Sequence, residues 1–346
     1  LCPTESCKAN EFPSKLKKSL DSYKRVIKNF DYESYDNIPS KKSISDTVGN
    51  LTKAINKAVE FVYNGKPSLA YNEFKLISSL GKLIYNLREK HSFYRMRSVK
   101  GSEKNKIGYK EMFHIPFDKR GIINTQRFSI PGYPCLYLGE NSYGCWEEIG
   151  QPDLDSCLVS RLENTISLAL WDLRIPNLED DNDPLFFAHS MMLFPLVIAC
   201  SFKVDETNIS FKPEYIIPQI LLQLIIDSPT IDGIIYSSVH KNNNFGFPDS
   251  VFTNYVIPIK EYSKDYSHCP QLCKTFKITK PTCEEYLKIQ HGSDLRPDNE
   301  SIEIEEDWSS DKKRSFFNYS QSLFGNIEKW LKQESEFNLH TINPTI

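Results

Sequence analysis

The chain has 346 residues, 40% of them apolar, with a formal net charge of −3. That length supports one good core and a satellite domain, and the near-neutral balance favours neither nucleic acid nor an anionic membrane as a partner. Apolar runs such as residues 191–200 are too short to span a bilayer, no basic-then-apolar leader is read, and nine scattered cysteines fit reduced thiols in a cytoplasm better than a disulfide framework.

Residues 13–90 read as helices. Leu16, Leu20, Tyr23, Ile27 and Phe30 keep a three-four spacing behind Pro13 and Ser14. Val48, Leu51, Ile55, Val59 and Val62 repeat it, as do Phe74, Ile77, Leu80, Ile84 and Leu87. The turn from Asn64 to Pro67 separates the second stripe from the third. Such stripes predict the buried faces of a small bundle. Cys2 and Cys7, and Cys269 and Cys273 beside His268, lack the tight spacing of common zinc sites, so unpaired thiols are the first expectation and structural zinc the second.

FYRMR at 93–97 predicts a strand with Arg95 and Arg97 on one face, because strand side chains alternate. By composition alone these are a solvated pair on an edge strand. The lysine-rich stretch 98–111 reads as an exposed loop. CLYLG at 135–139 predicts a strand, and Asn141 or Ser142 caps a helix carrying Trp146, Glu147 and Glu148. Cys135, Cys145, Cys157 and Cys200 sit in apolar contexts that suit buried thiols.

Residues 151–214 alternate apolar runs with turns, among them the acidic loop LEDDNDP, which reads as a solvated surface loop. YIIPQILLQLIID predicts a helix with Pro218 in its first turn, where a missing N–H costs little, and Pro229 stops it before the strand DGIIYSSV. The turn 240–248 follows as a loop. From 291 the composition becomes acidic, reading as a flexible linker, and the apolar spacing of 316–331 predicts a peripheral helix.

Two of these blocks together resemble the RES family, named for its arginine, glutamate and serine. The family pattern runs from an Arg through a G-x-P-x-L-Y-L strand to a Glu one short helix later. Here Arg127 to Tyr137 is ten residues and Tyr137 to Glu148 is eleven. Residues 215–238 match its Y-x-x-P-Q helix and D-G-I-x-Y-x-S strand, which puts the family's serine at Ser238. Its opening Y-R-x-R strand matches at 94–97 and turns Arg95 toward the ligand. The likeness covers about residues 90–260. Glu148 over Glu147 rests on the eleven-residue interval, and Ser238 over Ser237 on the Y-x-S frame.

The resemblance implies an α+β fold with an ADP-ribosyltransferase-like split β-sheet core, preceded by an α-helical bundle. Its division of the chain is 1–90, a helical and HEPN-like domain; 91–290, the RES-like catalytic domain; and 291–346, acidic linker and C-terminal helix. Arg88 and His91 lack the spacing of the HEPN nuclease motif, so the bundle reads as a partner-docking or dimerising module. The implied activity is cleavage of the nicotinamide–ribose bond of NAD, as glycohydrolase or phosphorylase and with no metal needed. Many relatives are toxins restrained by a DNA-binding antitoxin. A cytoplasmic toxin or defence effector is therefore expected, with a neutralising or regulatory protein partner, homo-oligomeric, touching neither membrane nor nucleic acid directly. The alternatives are an ADP-ribosyltransferase modifying a macromolecule and a non-enzymatic interaction protein on the same fold.

The residue chemistry is compatible with that activity. Cleaving the bond builds oxocarbenium character on the ribose, so a carboxylate against the sugar stabilises the transition state more than the ground state. Glu148 takes that role. Arg127 and Arg95 suit the diphosphate, because a guanidinium fork gives paired charge-assisted hydrogen bonds. Tyr137 offers a stacking face and a hydroxyl, and Ser238 orients the ribose or the carboxylate. No G-x-S-x-G turn marks Ser238 as a nucleophile. Without the resemblance, Tyr137 is a core or sheet-face residue, Glu148 an exposed helix carboxylate equivalent to Glu147, Arg127 a surface cation, and Ser238 a filler at a strand end.

Overall fold

The computed structural model describes residues 6–31, 38–77, 83–99, 101–175, 184–206, 209–239, 249–282, 319, 322–333 and 338–345. The chain enters through a two-residue strand, β1 (Ser6–Cys7), and helix α1 (Phe12–Asn29), whose Leu16, Leu20, Tyr23 and Ile27 are buried as their spacing requires. Helix α2 (Lys41–Tyr63) starts at Ser40, whose hydroxyl oxygen accepts the Ser43 N–H at 3.2 Å. Helix α3 (Pro67–Ile77) follows the turn at Gly65, where φ is +71° and a glycine fits without strain.

The third stripe departs from expectation. The helix is described as far as Ile77, residues 78–82 with Leu80 lie outside the described residues, and Ile84–Leu87 forms strand β2, paired antiparallel with residues 168–171. Ile84 and Leu87 satisfy a helical spacing on paper. Here a ladder of backbone hydrogen bonds to a neighbouring strand overrides that local preference.

The sheet continues with β3 (Ser92–Ser98) and β4 (Cys135–Gly139), then helix α4 (Ser142–Glu148), β5 (Cys157–Asn164) and β6 (Leu168–Leu173). Helix α5 (Pro184–Ser201) leads into β7 (Lys203–Val204), which pairs with β1. Helix α6 (Ile216–Ile226) is followed by β8 (Gly233–Ser237), β9 (Thr253–Pro258), α7 (Pro270–Thr275) and β10 (Phe276–Ile278). Last come helix α8 (Leu323–Gln333) and β11 (His340–Thr341).

Nine of the described strands form one mixed sheet, ordered β11-β10-β5-β3-β4-β9-β8-β6-β2 and antiparallel except for β6 beside β8. The protein is α+β. Strand alternation sends Trp171, Leu173, Ile234 and Val256 to a core shared with α1, α2, α3, α5 and α6. Leu136, Leu138, Leu170 and Ile257 go to a second core with Leu272 and Phe276. The N-terminal helices thus bury their stripes against α5 and α6, within one continuous core.

Read as a helix, the apolar run around 191–200 extends to the 18 residues of α5, long and apolar enough by length and composition to cross a membrane; 56% of it is buried inside the protein. The C-terminal helix is not peripheral either. Ile327 and Leu331 of α8 are fully buried against Tyr94, Met96 and Tyr143, and Arg161 Nε donates to the Leu331 carbonyl at 3.1 Å.

Candidate functional site

Strand β3 runs alongside β5 from Ser92 to Ser98, and β4 alongside β9 from Cys135 to Gly139, yet β3 and β4 pair only at Tyr94 and Gly139. Beside this divergence lies a cavity of about 490 Å³, walled by Arg95 and Arg97 of β3, Tyr137 of β4, Glu148 of α4, Asn254 of β9 and Arg127. Three of the four residues named for catalysis line it, and the fourth, Ser238, reaches it through Glu148.

Helix α4 sets the carboxylate. Asn141 caps it, Oδ1 accepting the Gly144 N–H at 2.7 Å while Nδ2 donates to the Val251 carbonyl at 2.6 Å. Gly139 allows the helix to sit close to β4, since a Cβ there would lie 2.6 Å from the Cys145 sulfur. Glu148 is the last helical residue. Its Oε1 accepts hydrogen bonds from the Ser238 hydroxyl and from Asn254 Nδ2, the latter at 2.6 Å. Among the described residues Oε2 has no hydrogen-bond partner. Glu147, one helical step of about 100° away, is buried and accepts from the Tyr143 hydroxyl at 2.5 Å and Gln151 Nε2 at 2.8 Å. Of the two glutamates, Glu148 faces the cavity.

The arginines differ from one another. Arg127 donates from Nη1 to the Cys200 carbonyl at 2.7 Å and from Nη2 to the Phe202 carbonyl at 2.8 Å, so its cation caps the end of α5. It also lies 5.5 Å from the Tyr215 ring centroid. Part of its fork is therefore held by the protein. Arg95 donates from Nη1 to the Tyr137 carbonyl at 2.7 Å, and its Nε is buried without a partner. Burial, with the like charge of Arg97 beside it, pushes its pKa down to about 10. Among the described residues none of Arg95, Arg97 or Arg127 forms an ion pair with a carboxylate.

Tyr137 presents its ring to the cavity and donates its hydroxyl to the Phe128 carbonyl at 2.8 Å; burial holds the phenol well above its ordinary pKa. Tyr236 stands nearby, its ring 4.6 Å from Phe128, and burial followed by the Glu148 charge raises its pKa too. Gln219 donates from Nε2 to Thr125 Oγ1 and the Ser129 carbonyl, each at 2.8 Å, and so holds the loop that carries Arg127.

Sequence reasoning did not single out Asn254, Tyr236, Tyr215 or Gln219. Tyr215, Gln219 and Tyr236 are letters of the very motifs that located Ser238, and that was the available signal. Asn254 had none, being one amide in the buried strand TNYVIP. No group of three or more His, Cys, Asp or Glu arranged for a metal occurs among the described residues, and the described cysteines are free and buried. Cys2, the acidic residues 178–183, the loop 240–248 and the acidic stretch 291–311 lie outside the described residues.

No family model matches the chain, and no solved structure matches it. It is 32% identical over 343 residues to a protein of Bacillus subtilis (strain 168) named "Putative toxin YopC", an alignment covering 90% of this chain and 75% of that protein.

Proposed function

Because the chain belongs to the family of the Bacillus subtilis "Putative toxin YopC", we propose that it is itself a toxin, and that it acts by breaking the nicotinamide–ribose bond of NAD. The observation that carries the chemical part is the charge arrangement of one cavity. Among the described residues, three guanidinium groups without carboxylate partners share it with a single carboxylate that has one oxygen unengaged. Such a set suits a ligand with a diphosphate at one end and a sugar developing positive charge at the other. The volume of about 490 Å³ is in the range of small-molecule sites.

In this reading Arg95 and Arg97 take the diphosphate, with the remaining hydrogens of Arg127 beside them. Tyr137 and Tyr236 supply flat faces for a ring. Ser238 and Asn254 hold Oε1 of Glu148, leaving Oε2 for the ribose. As the C1–nitrogen bond lengthens, positive charge grows on the sugar and the fixed carboxylate stabilises it with little reorganisation. The bonding electrons leave with nicotinamide, which departs neutral and needs no strong acid. Water or phosphate then adds to the sugar carbon and yields a proton to solvent. The divergence of β3 from β4 supports an ADP-ribosyltransferase-like split core. Action on NAD places the protein in the cytoplasm, and a cell making it needs a neutralising partner.

Expression in a bacterial host tests both parts. Wild-type protein should arrest growth after intracellular NAD has fallen, and Glu148→Gln at equal abundance should do neither. Arrest with NAD undiminished would overturn the NAD reading and leave the toxin; growth with NAD undiminished would overturn both.

A further inference from the structure

A second cavity, of about 500 Å³, lies at the opposite end of α4. Adjacent residues divide between the two: Tyr94 lines this one and Arg95 the first, Tyr255 this one and Asn254 the first; so do the two ends of α4, its cap Asn141 lining this one and its last residue Glu148 the first. Nothing in the proposed NAD chemistry uses it.

Its polar groups are unevenly satisfied. Glu140 accepts the Tyr255 hydroxyl and lies 3.1 Å from His91 Nε2. Glu328 of α8 accepts the Ser142 N–H at 2.6 Å, the Ser142 hydroxyl at 2.8 Å and the Tyr319 hydroxyl at 2.5 Å. Arg174 is held two-pronged by Asp172, at 2.6 and 3.0 Å. The carboxylates at this cavity are therefore engaged. Three of the donors are not: Lys90 and Lys332 form no ion pair among the described residues, and the Tyr94 hydroxyl is buried with no hydrogen-bond partner, on a residue only 1% exposed. Lys332 Nζ lies 5.9 Å from the Tyr94 ring centroid. Lys90 sits in the left-handed region, φ 63°, its N–H fixed on the Asn164 carbonyl at 2.9 Å.

Two ammonium groups outside any ion pair among the described residues, Lys332 with Glu328 in electrostatic reach, and a phenol with no hydrogen-bond partner leave a surplus of donors, and the complement is a compact, multiply charged acceptor. We propose that this cavity is a second ligand site, taking a small phosphate monoester recognised by Lys90, Lys332 and the Tyr94 hydroxyl. A monoester carries between one and two negative charges at neutral pH and three strong acceptor oxygens, where a carboxylate offers a single charge.

Calorimetric titration of the full chain with ribose 5-phosphate tests this, with ribose as the uncharged control. Wild type should bind the phosphate ester and not ribose. The double variant Lys90→Ala/Lys332→Ala should weaken binding at least about tenfold. Tyr94→Phe keeps the ring and should weaken it about three- to tenfold. Arg97→Ala removes what the first cavity itself takes up and should keep the binding that depends on Lys90, Lys332 and Tyr94, and circular dichroism checks that each variant is folded. Absence of binding up to about 10 mM, or an affinity lost in Arg97→Ala and kept in the lysine pair, overturns the proposal.

Discussion

A carboxylate on the last residue of a short helix has little of its own to fix it, and Glu148 is fixed from outside by Ser238 and Asn254. Each hydrogen bond to a charged group is worth about 1.5–3 kcal/mol. Ser238→Ala or Asn254→Ala should therefore lower kcat for NAD cleavage about 10- to 100-fold while KM changes little, as steady-state kinetics can check. An unchanged kcat in both variants would mean that Oε1 needs no anchoring. At this scale the sequence was partly legible. The eleven-residue interval pointed to Glu148, and the structure turns that glutamate to the cavity and Glu147 away from it. Arg127 was legible as a cavity residue, but its bonds to the Cys200 and Phe202 carbonyls were not. Those acceptors are backbone groups more than seventy positions away, and no side-chain pattern announces them.

Helix α4 is held at its start as firmly as at its end. Ser142 gives both its N–H and its hydroxyl to Glu328, a buried carboxylate on α8 whose pKa is raised by burial. Glu328→Ala would remove an acceptor from two donors of Ser142 and from the Tyr319 hydroxyl. It should destabilise the protein by about 2–4 kcal/mol, seen as a lower urea midpoint with an unchanged slope, and Glu328→Gln should lose less. Equal stability of Glu328→Ala and wild type would show that α8 does not anchor α4. The stripe of α8 was visible in the sequence, but what it packs on was not, because a stripe states that a face is buried and not against which neighbour. The same limit applies to Ile84–Leu87, where a spacing of three fits a helix turn and an edge strand alike.

Across the whole molecule the α+β class came from the family resemblance, while alternation and periodicity marked the individual strands and helices. The sharing of one core by the N-terminal helices with α5 and α6 was not legible, since α5 and α6 are apolar along nearly their whole length and favour no particular face. Acid sensitivity is a property at this scale. His114 is fully buried; its Nδ1 donates to the Ile115 carbonyl at 2.9 Å and its Nε2 accepts the Cys269 N–H at 2.9 Å, an arrangement that requires the neutral ring. Burial pushes its pKa down to about 3, and burial lowers His268 as well. Between that value and the unfolded value of about 6.5 the unfolded chain binds the extra proton and the folded one does not. Stability from His114 is thus complete above about pH 6.5 and falls by about 1.4 kcal/mol per pH unit below it. Urea unfolding at about pH 7 and about pH 5 should show that loss in wild type, and a shallower one in His114→Gln. Identical slopes would remove His114 from the explanation.

The central claim is that a fixed carboxylate beside a guanidinium-lined cavity cleaves NAD. Mass spectrometry of NAD incubated with purified protein, with and without phosphate, tests it most directly. Wild type should release nicotinamide together with ADP-ribose or its phosphate ester, and Glu148→Gln should do so about a thousandfold more slowly. NAD returned intact by folded wild type in both buffers, or cleaved equally fast by the variant, would contradict the claim.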